Sequence, residues 1–190
     1  MQEAKLRGTE TGLVPEGPGW FVLDIREASW STFPGGGTWV GFEADGVAQQ
    51  IGVGVHVLMP GESPGRYHAE SDQEGFFVLA GECVLVVEGE ERRLRQWDYF
   101  HCPPGTAHIT VGASDEPCAI FMLGARTPGG LTDYIPDPLA AEHGASVTER
   151  TGSSKEAYAD LDRTYTTVRG PWPPDKAVRT PSSRTSTAAG

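Results

Sequence analysis

Residues 60–81, PGESPGRYHAESDQEGFFVLAG, combine three potential metal ligands with the turn residues of a β-hairpin. His68, Glu70 and Glu74 all occupy even positions. Because side chains alternate between the two faces of a strand, His68 and Glu70 are expected to project from the same face. A turn at residues 71–73 is expected to fold Glu74 back beside them on the next strand. This stretch therefore predicts most of a metal-binding cluster.

A second stretch, residues 98–112, DYFHCPPGTAHITVG, supplies a further imidazole in His108. It follows the turn signal Pro103-Pro104-Gly105. Two neutral imidazoles and a carboxylate form a ligand set for a divalent transition metal with open positions, commonly non-haem Fe(II). Mn, Zn, Ni and Cu are alternatives, and the spacing of the ligands does not choose between these metals.

The first stretch resembles the first motif of the cupin superfamily. That motif reads Gly, five or six residues, His-x-His, three or four residues, Glu, six residues, Gly. This chain has Gly61, six residues, His68, one residue, Glu70, three residues, Glu74, six residues and Gly81. Glu70 therefore stands where the family has its second histidine.

The second stretch resembles the second cupin motif, which reads Gly, five residues, Pro-x-Gly, two residues, His, three residues, Asn. Here Trp97 and Gly112 replace the motif's Gly and Asn, while Pro103, Gly105 and His108 match it. The resemblance implies an all-β fold, the double-stranded β-helix or jelly-roll barrel of cupins. It also implies one divalent metal held by His108 together with the histidine and glutamate of the first motif.

Glu70 has two functional interpretations. As a fourth ligand it would add negative charge and favour a harder ion, so that Fe or Mn becomes the leading choice. As a catalytic general base it would take a proton from a bound water or substrate, since a nearby cation keeps a carboxylate ionised. The structural alternative is a solvated residue at the barrel mouth, and the sequence leaves these roles open.

Three more residues are candidates for a substrate pocket. His56 and His101 lie on strand-like runs that flank the two motifs, although a lone histidine in an apolar strand is more often a hydrogen-bonded core residue. Arg66 shares its parity with His68, and a guanidinium holds a carboxylate or phosphate well. The alternative for Arg66 is a surface salt bridge.

Composition predicts one domain of short strands. The chain has 190 residues, of which 25 are glycine and 15 are proline, a content typical of turns between strands rather than of long helices. We expect a loose N-terminal arm over residues 1–19, the barrel over 20–125, an extension with short helices over 126–170, and a disordered tail over 171–190.

Short apolar runs bounded by Gly, Pro or charged turns predict the strands. Both faces of the run at 83–87 are apolar, which predicts cover from the barrel on one side and from another sheet or subunit on the other. In the extension, Asp137 and Ser153 are predicted N-caps, the second opening a helix that reaches about residue 161. The predicted strand runs are residues 20–25, 38–43, 51–59, 76–79, 83–87, 99–102 and 119–123.

Charge and cysteine content restrict the partners and the compartment. The formal net charge of -11 disfavours nucleic acid, and no basic amphipathic segment indicates a membrane surface. Three cysteines without a CxxC pair predict buried thiols in a reducing compartment. With no apolar signal core at the N-terminus, we predict a cytoplasmic protein whose partner is a small molecule.

The leading functional prediction is a metal-dependent enzyme that oxidises a small polar or acidic organic molecule, as a dioxygenase does. An isomerase or epimerase with Glu70 as base is the alternative within enzymes. A non-catalytic cupin that binds a metabolite or a metal is the alternative outside them. The N-terminal strands of cupins often pack on a second subunit, so the resemblance also implies a homodimer.

Overall fold

The computed structural model describes residues 1–44, 47, 49–113 and 115–172. These residues are mostly strand, with two short helices, which confirms the all-β prediction. The strands are β1 Lys5–Gly8, β2 Leu13–Glu16, β3 Ser29–Thr32, β4 Thr38–Gly41, β5 Ile51–Leu58, β6 His68–Glu70, β7 Glu74–Ala80, β8 Glu82–Val87, β9 Glu90–Arg95, β10 Tyr99–Cys102, β11 His108–Gly112, β12 Cys118–Ala125, β13 Thr132–Tyr134 and β14 Thr166–Arg169. The helices are α1 Pro138–Glu142 and α2 Ser154–Ala157.

Two antiparallel sheets build the jelly roll. The larger has seven strands in the order β10-β7-β12-β5-β4-β3-β14, and the smaller has five in the order β13-β6-β11-β8-β9. The chain crosses from the smaller sheet to the larger one at the turn from β6 to β7, and it returns to the smaller sheet from β7 to β8. The two inner faces therefore enclose a common interior.

One end of this interior is filled by apolar side chains from both sheets. Leu58, Val78 and Ile120 from the larger sheet pack with Cys83 from the smaller one, and all four are fully buried. Cys83 and the other two cysteines are free and buried, as the sequence predicts. The polar residues of the two motifs lie at the other end of the barrel interior.

The outer face of the smaller sheet is covered by the C-terminal extension. Val86, Ile109 and Val111 pack there against Ala140 of α1 and against Ala145. This explains why both faces of the run at 83–87 are apolar, because one faces the barrel interior and the other faces the extension of the same chain.

The N-terminal residues differ from the loose arm that their composition predicts. β1 and β2 form a hairpin with Lys5 paired to Glu16 and Gly8 to Leu13. Its backbone is tied to the following segment, since Ala4 N donates to the Trp20 carbonyl at 2.9 Å. Residues 20–25, predicted as a strand, join neither large sheet. They supply carbonyl groups such as that of Trp20, and the first strand of the larger sheet, β3, begins only at Ser29.

Both predicted helices form at their predicted caps. Asp137 Oδ1 accepts a hydrogen bond from Ala140 N at 2.8 Å, and Ser153 Oγ accepts one from Glu156 N. The second helix ends at Ala157, earlier than predicted, and the chain then runs on to β14, which extends the larger sheet beside β3. No helix among the described residues is long and apolar enough to cross a membrane. Of the predicted disordered tail, residues 173–190 lie outside the described part of the chain.

Trp97 occupies the glycine position of the second motif with a left-handed backbone. Its φ is 79°, its side chain is 67% exposed, and the ring centroid of Phe77 lies 6.0 Å away. A residue with a Cβ is strained by about 1 kcal/mol in this region, whereas glycine is not.

We expect Trp97→Gly to be more stable than Trp97→Ala by about 1 kcal/mol, because both lose the ring but the glycine variant alone relieves the backbone. Urea unfolding of the two variants measures this difference. Equal free energies of unfolding would contradict backbone strain at this position.

Candidate metal centre

The two motif histidines face each other across neighbouring strands. His68 opens β6 and His108 opens β11, and the two residues are direct partners in the antiparallel register. Directly opposed residues project from the same face of a sheet. Their ring centroids are 5.0 Å apart, at the open end of the barrel.

The carboxylate of Glu74 reaches these histidines from the facing sheet. Glu74 opens β7, where it pairs with Cys102 of β10 and Gly124 of β12. Its Oε2 lies 3.4 Å from Nε2 of His108. One ligand atom from each of the three residues lies within 4.8 Å of the others, so the predicted convergence of these residues is confirmed.

The predicted hairpin between His68 and Glu74 is wrong. β6 pairs with β11 and β13, while β7 pairs with β10 and β12, so the turn between them crosses from one sheet to the other. Its polar residues bond to the segment after β12 and not across a hairpin. Asp72 Oδ2 accepts a hydrogen bond from Thr127 N at 2.9 Å, and Ser71 N donates to the Leu131 carbonyl at 2.9 Å.

Backbone carbonyls orient both imidazoles. Nδ1 of His68 lies 2.6 Å from the Arg66 carbonyl oxygen, and Nδ1 of His108 lies 3.1 Å from that of Thr106. A carbonyl can only accept, so each Nδ1 carries the proton and donates it. The lone pair of each Nε2 is then free for a metal, as in most histidine-ligated sites.

Burial shapes the charges of the site. It raises the pKa of Glu74 to about 7, with the neighbouring Glu70 carboxylate adding to the shift. Burial also lowers the pKa of His108 to about 4, with help from His68. Oε2 of Glu74 is buried and has no hydrogen-bond partner among the described residues. Two imidazoles and a carboxylate oxygen that has no hydrogen-bond partner among the described residues form a donor set suited to a divalent cation.

Glu70 lies beside this cluster and not within it. Its Oε1 is 3.7 Å from Nε2 of His68, and its side chain is 25% exposed. The tight cluster of ligand atoms consists of His68, Glu74 and His108 without it. Glu70 faces the cavity next to the site, where a carboxylate can accept a proton.

A cavity of about 460 Å³ adjoins the cluster and is lined by both sheets. Its size suits a small molecule. His56 lines it, as predicted for a pocket residue, and its ring stacks on Trp39 with centroids 6.1 Å apart. Burial lowers the pKa of His56 to about 4, so its ring is neutral at physiological pH.

Two of the predicted pocket residues lie elsewhere. Arg66 is buried beneath the C-terminal extension, where its NH2 group contacts both carboxylate oxygens of Asp160, at 2.8 and 2.7 Å, and NH1 donates to the Gly144 carbonyl. The Arg66 guanidinium, which strand parity suggested for substrate binding, is therefore bound by the C-terminal extension instead. His101 is exposed on β10 and does not line the cavity, because Phe100 and Cys102 take the covered positions of that strand.

Two tyrosines that were not among the predicted pocket residues complete the cavity wall. Tyr134 pairs with His68 across β13 and β6, and its ring lies 5.8 Å from the histidine. Tyr158 packs edge-on against Tyr134 at 5.6 Å, and the guanidinium of Arg163 lies over the Tyr158 ring at 4.1 Å. Burial raises the pKa of Tyr134. No local pattern marks these residues, because they reach the site through tertiary pairing after the motifs end.

Both motifs lie within a single match to a known protein family. Residues 54–124 match the cupin domain. No curated protein matches the chain.

Several solved structures are similar over part of the chain. A cupin-superfamily sugar phosphate isomerase from Silicibacter pomeroyi DSS-3 is 27% identical, with a TM-score of 0.48 over 54% of this chain and 66% of that one. A Cupin 2 conserved barrel domain protein from Salinispora arenicola CNS-205 is 22% identical, with a TM-score of 0.45 over 50% and 81%. A DMSP lyase from Ruegeria pomeroyi DSS-3 is 25% identical, with a TM-score of 0.40 over 46% of each chain.

Proposed function

Since residues 54–124 are a domain of the cupin superfamily, we propose that this chain is a metal-dependent enzyme acting on a small polar or acidic molecule. The observation that carries the proposal is the meeting of His68, Glu74 and His108 within 4.8 Å, with a buried carboxylate oxygen that has no other partner among the described residues. These three residues would hold one divalent ion. Fe or Mn suits the ligand set best, and Zn, Ni and Cu are alternatives.

The leading reaction is oxidation of the dioxygenase type. An ion held by these three residues would supply Lewis acidity and, if it is iron, redox capacity. The protein's own contribution is to orient the substrate in the cavity and to exclude water. Tyr134 and Phe76 line the cavity beside the ligands, so apolar ring surface adjoins the reacting groups. Glu70 would hold or move a proton next to them.

Isomerisation or epimerisation is the second candidate, and the position of Glu70 favours it. A carboxylate that faces the cavity but stands outside the ligand cluster is free to remove a proton from a carbon next to a carbonyl group and to return it. The proton then moves between substrate and Glu70 with no net change in oxidation state.

The test begins with protein purified without added ions. Its metal content is measured by mass spectrometry, and the protein is then supplied with phenolic, keto and hydroxy acids. Oxygen uptake with bound iron would support oxidation. Exchange of a substrate C–H proton in D₂O without oxygen uptake would support isomerisation. Stoichiometric metal with neither reaction would favour a non-catalytic cupin that binds a metabolite or metal.

Glu70→Gln separates the two possible roles of this carboxylate. If Glu70 is the base, the variant is expected to keep its metal and to lose proton exchange by at least about 100-fold, the usual contribution of general base catalysis. Glu142→Gln, an exposed carboxylate on α1, is the matched control. Loss of the metal in Glu70→Gln would instead identify Glu70 as a fourth ligand.

A further inference from the structure

Besides Oε2 of Glu74, two buried polar atoms on residues that line the cavity have no hydrogen-bond partners among the described residues. They are Oγ1 of Thr110 and Nδ1 of His56. Thr110 is 1% exposed, so its hydroxyl is largely withdrawn from bulk water. Nearly all buried polar atoms in folded proteins are paired, and each exception calls for a physical reason.

The two residues belong to different sheets and project into the same interior. Thr110 lies two positions after His108 on β11, so the two side chains share the inner face of the smaller sheet. His56 lies two positions before the core residue Leu58 on β5, so it projects inward from the larger sheet. The cavity that contains the metal ligands is therefore also lined by these two polar groups.

The chemistry of the pair suits a ligand with hydroxyl or carbonyl groups. A threonine hydroxyl both donates and accepts, and a neutral imidazole offers one donor and one acceptor. An unpaired buried hydroxyl is unfavourable for stability, whereas valine has nearly the same shape and no polar atom to satisfy. Thr110 thus gives the free protein an unsatisfied group that a bound ligand can satisfy.

We propose that Thr110 and His56 form a second polar subsite, which hydrogen-bonds an oxygen of the substrate while another part of the same molecule lies at the metal centre. The inference rests on the proposed function, because it concerns the same substrate. It narrows the substrate class to short, oxygen-rich molecules that carry a hydroxyl or carbonyl group in addition to the group at the metal.

The test uses pairs of acids that differ by one hydroxyl group, such as malate with succinate and glycerate with lactate. Their affinities for metal-loaded protein are measured by calorimetry. We expect the wild type to bind the more hydroxylated member of at least one pair at least tenfold more tightly. Thr110→Val should bring that ratio close to one with its metal content unchanged. Met122→Leu, an apolar change in the same cavity wall, should leave the ratio as it is.

A second measurement does not depend on a ligand. Removing an unpaired hydroxyl should raise the melting temperature of the ligand-free protein, by about 2 °C or more for a chain of this size. A lower melting temperature for Thr110→Val would show that the hydroxyl is satisfied in the free protein and would overturn the proposal. Equal binding of both members of every pair by the wild type, or an unchanged ratio in the variant, would overturn it as well.

The two proposals fail separately. A protein that holds no metal but still prefers the hydroxylated acids through Thr110 would contradict the metal-dependent function and support the subsite. A protein with stoichiometric metal and no preference would contradict the subsite alone.

Discussion

Replacing His108 by alanine is expected to abolish stoichiometric binding of a divalent metal. His108 is nearly fully buried and its Nε2 lies 3.4 Å from the Glu74 carboxylate, so its loss removes a ligand from the centre of the cluster. Loss of a residue that merely orients a ligand weakens metal binding by 10- to 100-fold. Loss of the ligand itself should therefore weaken it by more than about 100-fold, as measured by competition with a fluorescent chelator.

His101→Ala is the matched control for this variant. His101 lies seven residues earlier in the chain, is exposed on β10 and does not line the cavity. It should bind metal as the wild type does. Thermal unfolding provides a second measurement, since metal that binds the native state should raise the melting temperature of wild type and His101→Ala but not of His108→Ala. Equal metal affinity in all three proteins would contradict the site.

Glu74→Gln is expected to remove metal binding and, at the same time, to stabilise the metal-free protein above neutral pH. Burial, assisted by Glu70, raises the pKa of Glu74 from 4.5 to about 7. The native protein therefore keeps this proton up to about pH 7, whereas the unfolded chain releases it near pH 4.5. The free energy of unfolding contributed by Glu74 thus falls as pH rises between these values, by roughly 3 kcal/mol in all.

Glutamine resembles the protonated form and does not titrate. The stability difference between Glu74→Gln and wild type, both without metal, should be small at pH 4.5 and should grow in favour of the variant up to about pH 8. Urea unfolding across this range measures it. The lowered pKa of His56 acts in the opposite direction but is common to both proteins, so its contribution cancels in the difference.

The same proton governs metal affinity in the wild type. A metal must displace it below about pH 7, so affinity should fall by at least about tenfold per pH unit from pH 7 to pH 5. His108, with its pKa near 4, stays neutral over that interval and adds no second proton. A stability difference and a metal affinity that are both independent of pH would show that Glu74 is ionised in the native protein.

The ligands could be predicted from sequence, but the route by which they meet could not. Strand parity and motif spacing identify His68, Glu74 and His108 without knowledge of which strands pair. The register of β6 with β11, in contrast, is decided by packing between segments about forty residues apart, and the turn that looks like a hairpin passes from one sheet to the other. Arg66 shows the same limit, because its partner Asp160 lies 94 residues away.

The structure bears on two departures from the family motifs. A Cβ at Gly112 would lie 2.2 Å from the Met59 carbonyl oxygen, so a larger residue does not fit where the motif has Asn. Trp97 adopts a left-handed backbone, a conformation that glycine, the motif's residue at this position, takes without strain. Neither feature can be inferred from spacing. The homodimer and the cytoplasmic location stay predictions.

Glu74 stands on one layer of the barrel, and both histidines stand on the other. At the far end, Leu58, Ile120 and Cys83 already join these layers through apolar contact. At the mouth, an ion held by all three ligands would link the two sheets to each other. Metal binding would then determine how rigid the cavity entrance is. A substrate would meet a rigid entrance in the metal-loaded protein and a more flexible one in the metal-free protein.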